Sequence, residues 1–140
     1  MMKWKRRMIL SLLPVAGALV LEALPGGVTM QFASPPGQPA YDPLAFAYFD
    51  LTPYAYGNVF PFLAAILTAV AFILGAAALC KRAYTPKLQT AKCVFLILAF
   101  LLSLGADFAF GVPTVMGLVI SAMLLLAGIA HLLVCRRPGI

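Results

Sequence analysis

All ten Lys and Arg residues of this 140-residue chain fall in three short clusters, and four apolar stretches lie between and beyond them. The clusters are Lys3/Lys5/Arg6/Arg7, Lys81/Arg82/Lys87/Lys92 and Arg136/Arg137. From Met8 to Cys80 there is no basic residue, although this segment includes a polar loop. Basic residues beside a membrane span are retained on the cytoplasmic side. The pattern predicts a membrane protein with both termini cytoplasmic and an even number of crossings.

Composition points the same way. The chain is 64% hydrophobic and 10% charged, against roughly a quarter charged in ordinary soluble domains. A soluble core this apolar would lack the polar surface to cover it, so residues 1–140 read as one membrane domain. The net charge of +6 does not call for nucleic acid, whose grooves are met by basic and aromatic residues interleaved on a soluble face. Here the basic groups flank the spans, where anionic headgroups attract each by about 1 kcal/mol. The bilayer is the expected partner.

About 20 helical residues cross a hydrocarbon core of about 30 Å. Four spans are predicted, at about 8–24, 59–80, 93–110 and 114–135, with an outer loop at 25–58 and an inner loop at 81–92. The expected fold is an all-α, four-helix membrane bundle capped by the outer loop. Pro14 removes one backbone hydrogen bond from the first span and predicts a kink. Gly105-Ala106-Asp107, with Gly111 and Pro113, predicts a tight turn into the fourth span. The first span also has the basic start of a signal peptide, but its exit, Leu21-Glu22-Ala23-Leu24-Pro25, lacks the small residue expected three before a cleavage point.

The outer loop holds most of the prolines and no Lys, Arg or Cys. Asp42-Pro43 and Thr52-Pro53 each read as a helix N-cap followed by proline at the first helical position. Tyr41, Tyr48, Phe49, Tyr54, Tyr56 and Phe60 read as an aromatic belt at the interface. The expectation is one or two short surface helices. The rival is a hairpin in which Leu44, Phe46 and Tyr48 pair with Val28–Phe32, where apolar and polar residues alternate.

The four acids, Glu22, Asp42, Asp50 and Asp107, all belong to the outer side. Glu22 lies 15 residues beyond Arg7, and Asp107 15 beyond Lys92, so both sit roughly 22 Å above the inner charge line. No basic residue is available at that depth. Such a carboxylate reaches water, holds a proton or binds a cation. Glu22 and Asp107, helped by Asp42 or Asp50, are the candidate cation or proton site; four solvated interfacial carboxylates are the plainer reading.

Cys80, Cys93 and Cys135 cluster at the inner boundary with His131, which shares a helix face with Cys135. Three thiols and an imidazole are a soft-metal set, but no CxxC is present, and ordinary packing of small apolar thiols accounts for them. No metal or cofactor is expected. Ala64/Thr68, Ala71/Gly75, Ala99/Ser103 and Gly117/Ser121 have the spacing that lets membrane helices approach closely. They predict packing within the bundle, with Gly117/Ser121 as a candidate face for a second copy or a membrane partner. No phosphate loop, HExxH or nucleophile–base pair is present, so no enzyme is expected.

The run Phe46-Ala47-Tyr48-Phe49-Asp50-Leu51-Thr52-Pro53-Tyr54-Ala55-Tyr56-Gly57-Asn58-Val59-Phe60-Pro61 resembles small four-span proteins of Gram-positive bacteria. The resemblance covers about a tenth of the chain directly and the rest in architecture; it implies a plasma-membrane protein and no particular activity. A first-span glutamate also occurs in the small multidrug transporters. Theirs lies near mid-membrane between short loops, whereas Glu22 is near the outer edge before a long one, so their function is not carried over. Two readings follow: a non-enzymatic subunit that packs against a partner or itself, and a small cation or proton transporter or channel subunit.

Overall fold

The computed structural model describes residues 2–81, 85–109 and 113–135, and the side chains of all of these but 2–4 and 81. The side chains of Lys3 and Lys81, together with Arg82, Phe110, Gly111, Arg136 and Arg137, lie outside the described residues. The described part is mostly helical: α1 (Met2–Ala23), β1 (Val28–Met30), β2 (Leu44–Phe46), α2 (Leu51–Ala55), α3 (Phe60–Lys81), α4 (Pro86–Phe108) and α5 (Val115–Cys135). Three helices, α3, α4 and α5, are long and apolar enough to cross a membrane, which marks the chain as a membrane protein. With 22 residues, α1 is as long as α3, but it carries four basic residues near its start and Glu22 at its end.

The long helices close a ring: α1 packs on α3 and α5, and α4 packs on α3 and α5. Successive helices run in opposite directions, so α1 and α4 are diagonal. One end of the ring carries the β1–β2 hairpin and α2; the other carries the start of α1 and the end of α5. Each long helix turns a narrow stripe inward. On α4 it is Gln89, Lys92, Leu96, Ala99, Ser103, Ala106 and Asp107; on α5 it is Gly117, Ile120, Ser121, Leu124, Ala127, Gly128 and His131. These spacings of three and four are one helix face. Much of what remains outward is aliphatic, including Leu101, Leu126 and Leu133 at more than half exposure, as a lipid-facing surface requires.

The helices depart from their predicted bounds at one end. The inner loop predicted at 81–92 is mostly helix, because α3 reaches Lys81 and α4 begins at Pro86. Proline has no N–H to lose at a first helical position, and the helix it opens carries Lys87 and Lys92. Through Pro14, α1 continues as a helix without interruption.

The predicted outer loop contains both rival structures. β1 and β2 pair antiparallel in the register Val28↔Phe46, Thr29↔Ala45, Met30↔Leu44, so the fold is not purely α. Asp42-Pro43 caps no helix, since the residues after it are held in the ladder. Between the strands, Pro35-Pro36-Gly37-Gln38 makes a turn closed by Gln38 N–H to Pro35 O at 3.1 Å, with Gly37 at φ +85°, the conformation glycine supplies in type II turns. The short helix α2 exists, but its cap is Asp50 rather than Thr52. The Asp50 carboxylate accepts from the Thr52 N–H at 2.9 Å and from its hydroxyl at 2.8 Å. Pro53 still falls in the first turn, where it removes no helical bond.

Candidate functional site

The hairpin ends by driving one side chain into the helices. Just past β2, the Tyr48 N–H donates to Glu22 O at 2.9 Å, which fixes the backbone against the end of α1. The ring then points inward and is 0% exposed. Gly27 makes the space for it, since a Cβ there would stand 2.8 Å from the ring. Tyr48 therefore leaves the predicted aromatic belt, of which Tyr41, Phe49, Tyr54 and Tyr56 are exposed and Phe60 is half-buried.

The Tyr48 hydroxyl meets Ser103 of α4 at 2.8 Å, and Ser103 meets Ser121 of α5 at 2.7 Å. Either oxygen of each pair is able to donate, so this three-hydroxyl chain can run in both directions. Burial pushes the Tyr48 phenol well above its usual range against the opposing Ser103 hydrogen bond, and the nearby carboxyls of Asp107 and Glu22 add to the rise.

The two carboxyls that share Tyr48 are buried. Glu22 is 0% exposed and Asp107 2%. Glu22 Oε1 accepts from the Thr68 hydroxyl of α3 at 2.9 Å, and Thr68 also bonds Ala64 O. Glu22 Oε2 has no hydrogen-bond partner. Asp107 accepts from the Thr114 backbone N–H, while its Oδ2 has no partner. The Asp107 carboxyl rests on Gly117, where any Cβ would collide with it. Thr114 locks this corner: its hydroxyl accepts from Gly117 N–H at 2.9 Å and donates to Gly27 O at 3.0 Å. All three cations with described side chains that lie before α3, Lys5, Arg6 and Arg7, are at the far end of α1.

The structure thus brings Glu22 and Asp107 around one tyrosine and leaves the other two acids outside. Asp42 is exposed on the loop. Asp50 caps α2, and those donors hold its carboxyl below the ordinary carboxylate range. Gly117 and Ser121 face Asp107 and Ser103 inside the chain, so they offer no face to a second copy. Ala71 and Gly75 are likewise inward, Gly75 against Leu12 and Lys92. Of the sulfur and imidazole set, Cys135 Sγ lies 3.5 Å from His131 Nε2, Cys80 is exposed and Cys93 half-buried. No three potential metal-binding side chains converge among the described residues.

Sequence reasoning missed Tyr48, Thr68, Ser103 and Thr114 as parts of one site. The small-residue pairs Ala64/Thr68, Ala99/Ser103 and Gly117/Ser121 were the available signal, since each polar member of those pairs enters the network. Comparison with protein-family models, with curated proteins and with solved structures finds no match.

Proposed function

We propose that the chain is a four-span plasma-membrane protein, with both termini cytoplasmic, that moves protons across the bilayer without enzymatic chemistry. In this reading α1 is the fourth span. At 1.5 Å per residue its 22 residues extend about 33 Å, and its charges fall at the two ends. The hairpin and α2 then cap the outer face, with the exposed tyrosines at headgroup level.

One observation carries the reading: Glu22 and Asp107 are both buried with an oxygen left unsatisfied, and no basic side chain among the described residues acts on them. An ionisable group held inside a membrane domain is expensive, and is kept where ion movement needs it. A carboxyl without a counter-charge takes a proton. The Tyr48–Ser103–Ser121 chain is a route along which a proton passes by reversal of hydrogen bonds. A small monovalent cation is the other ligand such a set accepts.

The test is proton uptake into proteoliposomes loaded with a pH-sensitive dye, driven by a potassium diffusion potential. Wild-type protein is expected to acidify the lumen. Glu22→Gln and Asp107→Asn, which keep shape and hydrogen bonding, are expected to abolish uptake. Sodium-dependent uptake instead of proton uptake would reassign the ion. Absence of any flux across all gradients would end the transport reading.

A further inference from the structure

The opposite end of the helix ring holds a second set of buried polar groups. Lys92 is 1% exposed, Gln89 2% and His131 0%. Each carries a side-chain atom without a hydrogen-bond partner: Lys92 Nζ, Gln89 Oε1 and His131 Nδ1. The three form one cluster. His131 Nε2 donates to the backbone oxygen of Gln89 at 3.0 Å, and Gln89 and Lys92 are three residues apart on one face of α4. From α3, Gly75 provides the seat for the ammonium: a Cβ there would stand 3.1 Å from Lys92 Nζ. Leu12 of α1 packs onto the same glycine and closes the cluster from that side.

An ammonium removed from water needs a counter-charge, because a lone buried ion costs several kcal/mol. The acidic group acting on it is the Cys135 thiol; the chain gives it no side-chain carboxylate. Its four acids, Glu22, Asp42, Asp50 and Asp107, all belong to the hairpin end. We propose that Lys92 and Gln89, steadied by His131, form a binding site for a small monovalent anion of the chloride or acetate class. The ammonium is a pure donor. A half-turn of the Gln89 amide, whose nitrogen and oxygen are interchangeable in shape, presents its NH₂ where Oε1 lies. With Nε2–H committed to the Gln89 carbonyl, the neutral His131 ring keeps a lone pair on Nδ1, so it steadies this turn of α4 and is not a donor to the anion.

A groove of about 380 Å³ between α1 and α5 is lined by Arg7, Leu10, Ser11, Ala130, Leu133 and Val134. Arg7 gives its rim positive charge. This site stands apart from the proton reading and does not depend on it.

The experiment is ³⁵Cl NMR line broadening by purified protein in nanodiscs of zwitterionic lipid, with acetate and then gluconate as competitors. Saturable broadening that acetate removes and gluconate leaves is expected. Lys92→Met, which fits the apolar surroundings and keeps the fold, should weaken binding about tenfold or more, the worth of a charge-assisted hydrogen bond. Gly75→Ala should weaken it by displacing the ammonium, and Lys87→Met, on the exposed face, should not. Glu22→Gln should bind chloride as wild type does, which separates this site from the carboxyl pair. No saturable broadening by the wild type, or undiminished broadening by a folded Lys92→Met, overturns the proposal.

Discussion

At the scale of single residues, the Asp107 carboxyl owes its position to a missing methyl group. Gly117 lies directly beneath it, and a Cβ would occupy the space of Oδ1. Gly117→Ala should therefore cost about 1–3 kcal/mol of stability, the usual penalty of overpacking, and should also stop proton uptake by expelling the carboxyl. In an Asp107→Ala background the same glycine change should be nearly neutral. A double-mutant cycle of unfolding in mixed micelles measures that coupling; additive effects would mean the two residues do not meet. The exposed acids behave differently. Two donors from Thr52 hold the Asp50 carboxyl below its ordinary value of 3.8. A depressed folded pKa means that the cap's contribution is fully present above the unfolded value and is lost as pH falls through the folded one. A ¹³C titration of the carboxyl signals should find Asp50 titrating below the ordinary aspartate range, and Thr52→Val, which removes one donor, should raise it part of the way. The carboxyls were legible in the sequence because charge is conspicuous in an apolar chain. Tyr48 was not: an aromatic residue among aromatics carries no mark of which one turns inward, and that choice rests on Gly27 and on the Glu22 carbonyl.

At the scale of elements, the hairpin is the part whose geometry is most open to direct measurement. Its register places Thr29 opposite Ala45, a separation of about 4.5–5.5 Å between Cα atoms in any antiparallel pair, which a disulfide spans. With Cys80, Cys93 and Cys135 changed to serine, a Thr29→Cys/Ala45→Cys protein should crosslink under mild oxidation. Thr29→Cys/Leu44→Cys, one residue out of register, should do so far less, because a slip of one sends the side chain to the opposite face. Equal crosslinking would mean the strands slide. The alternation of Val28, Met30 and Phe32 announced β1 in the sequence, whereas Asp42-Pro43 suggested a helix, because a local cap signal knows nothing of a partner strand 14 residues back. The three apolar helices were legible from hydropathy alone. The first turns of α4 were not, because Lys87 and Lys92 read as loop charges. Only the inward stripe Gln89, Lys92, Leu96 and Ala99 reveals that the helix had already begun and that Lys92 belongs to its core.

At the scale of the molecule, the polarity of the chain is arranged in layers along the helix ring. Carboxyls and hydroxyls occupy one end of the core, and Lys92 with His131 the other. Small and aliphatic residues separate them, among them Ala18, Ala71, Leu96, Ala99 and Leu124, all buried. This dry layer matters because a continuous polar path would leak, so any transfer between the ends requires the helices to shift or admit water. The layers carry meaning only if α1 spans the bilayer with its basic start in the cytoplasm, which puts Glu22 and Asp107 at one depth. Single cysteines in a cysteine-free background test this orientation. Gln38→Cys, on the hairpin loop, should react with a membrane-impermeant maleimide in intact cells. Thr90→Cys and Lys5→Cys should react only after permeabilisation. Labelling of Lys5→Cys from outside would mean that α1 lies along the surface instead of crossing it. Glu22 would then be at the wrong depth to share Tyr48 with Asp107, and the carboxyl pair would lose its place as an ion site. Reversed labelling of all three would keep the four spans but turn the carboxyl end toward the cytoplasm, against the pull that the basic clusters of the sequence exert.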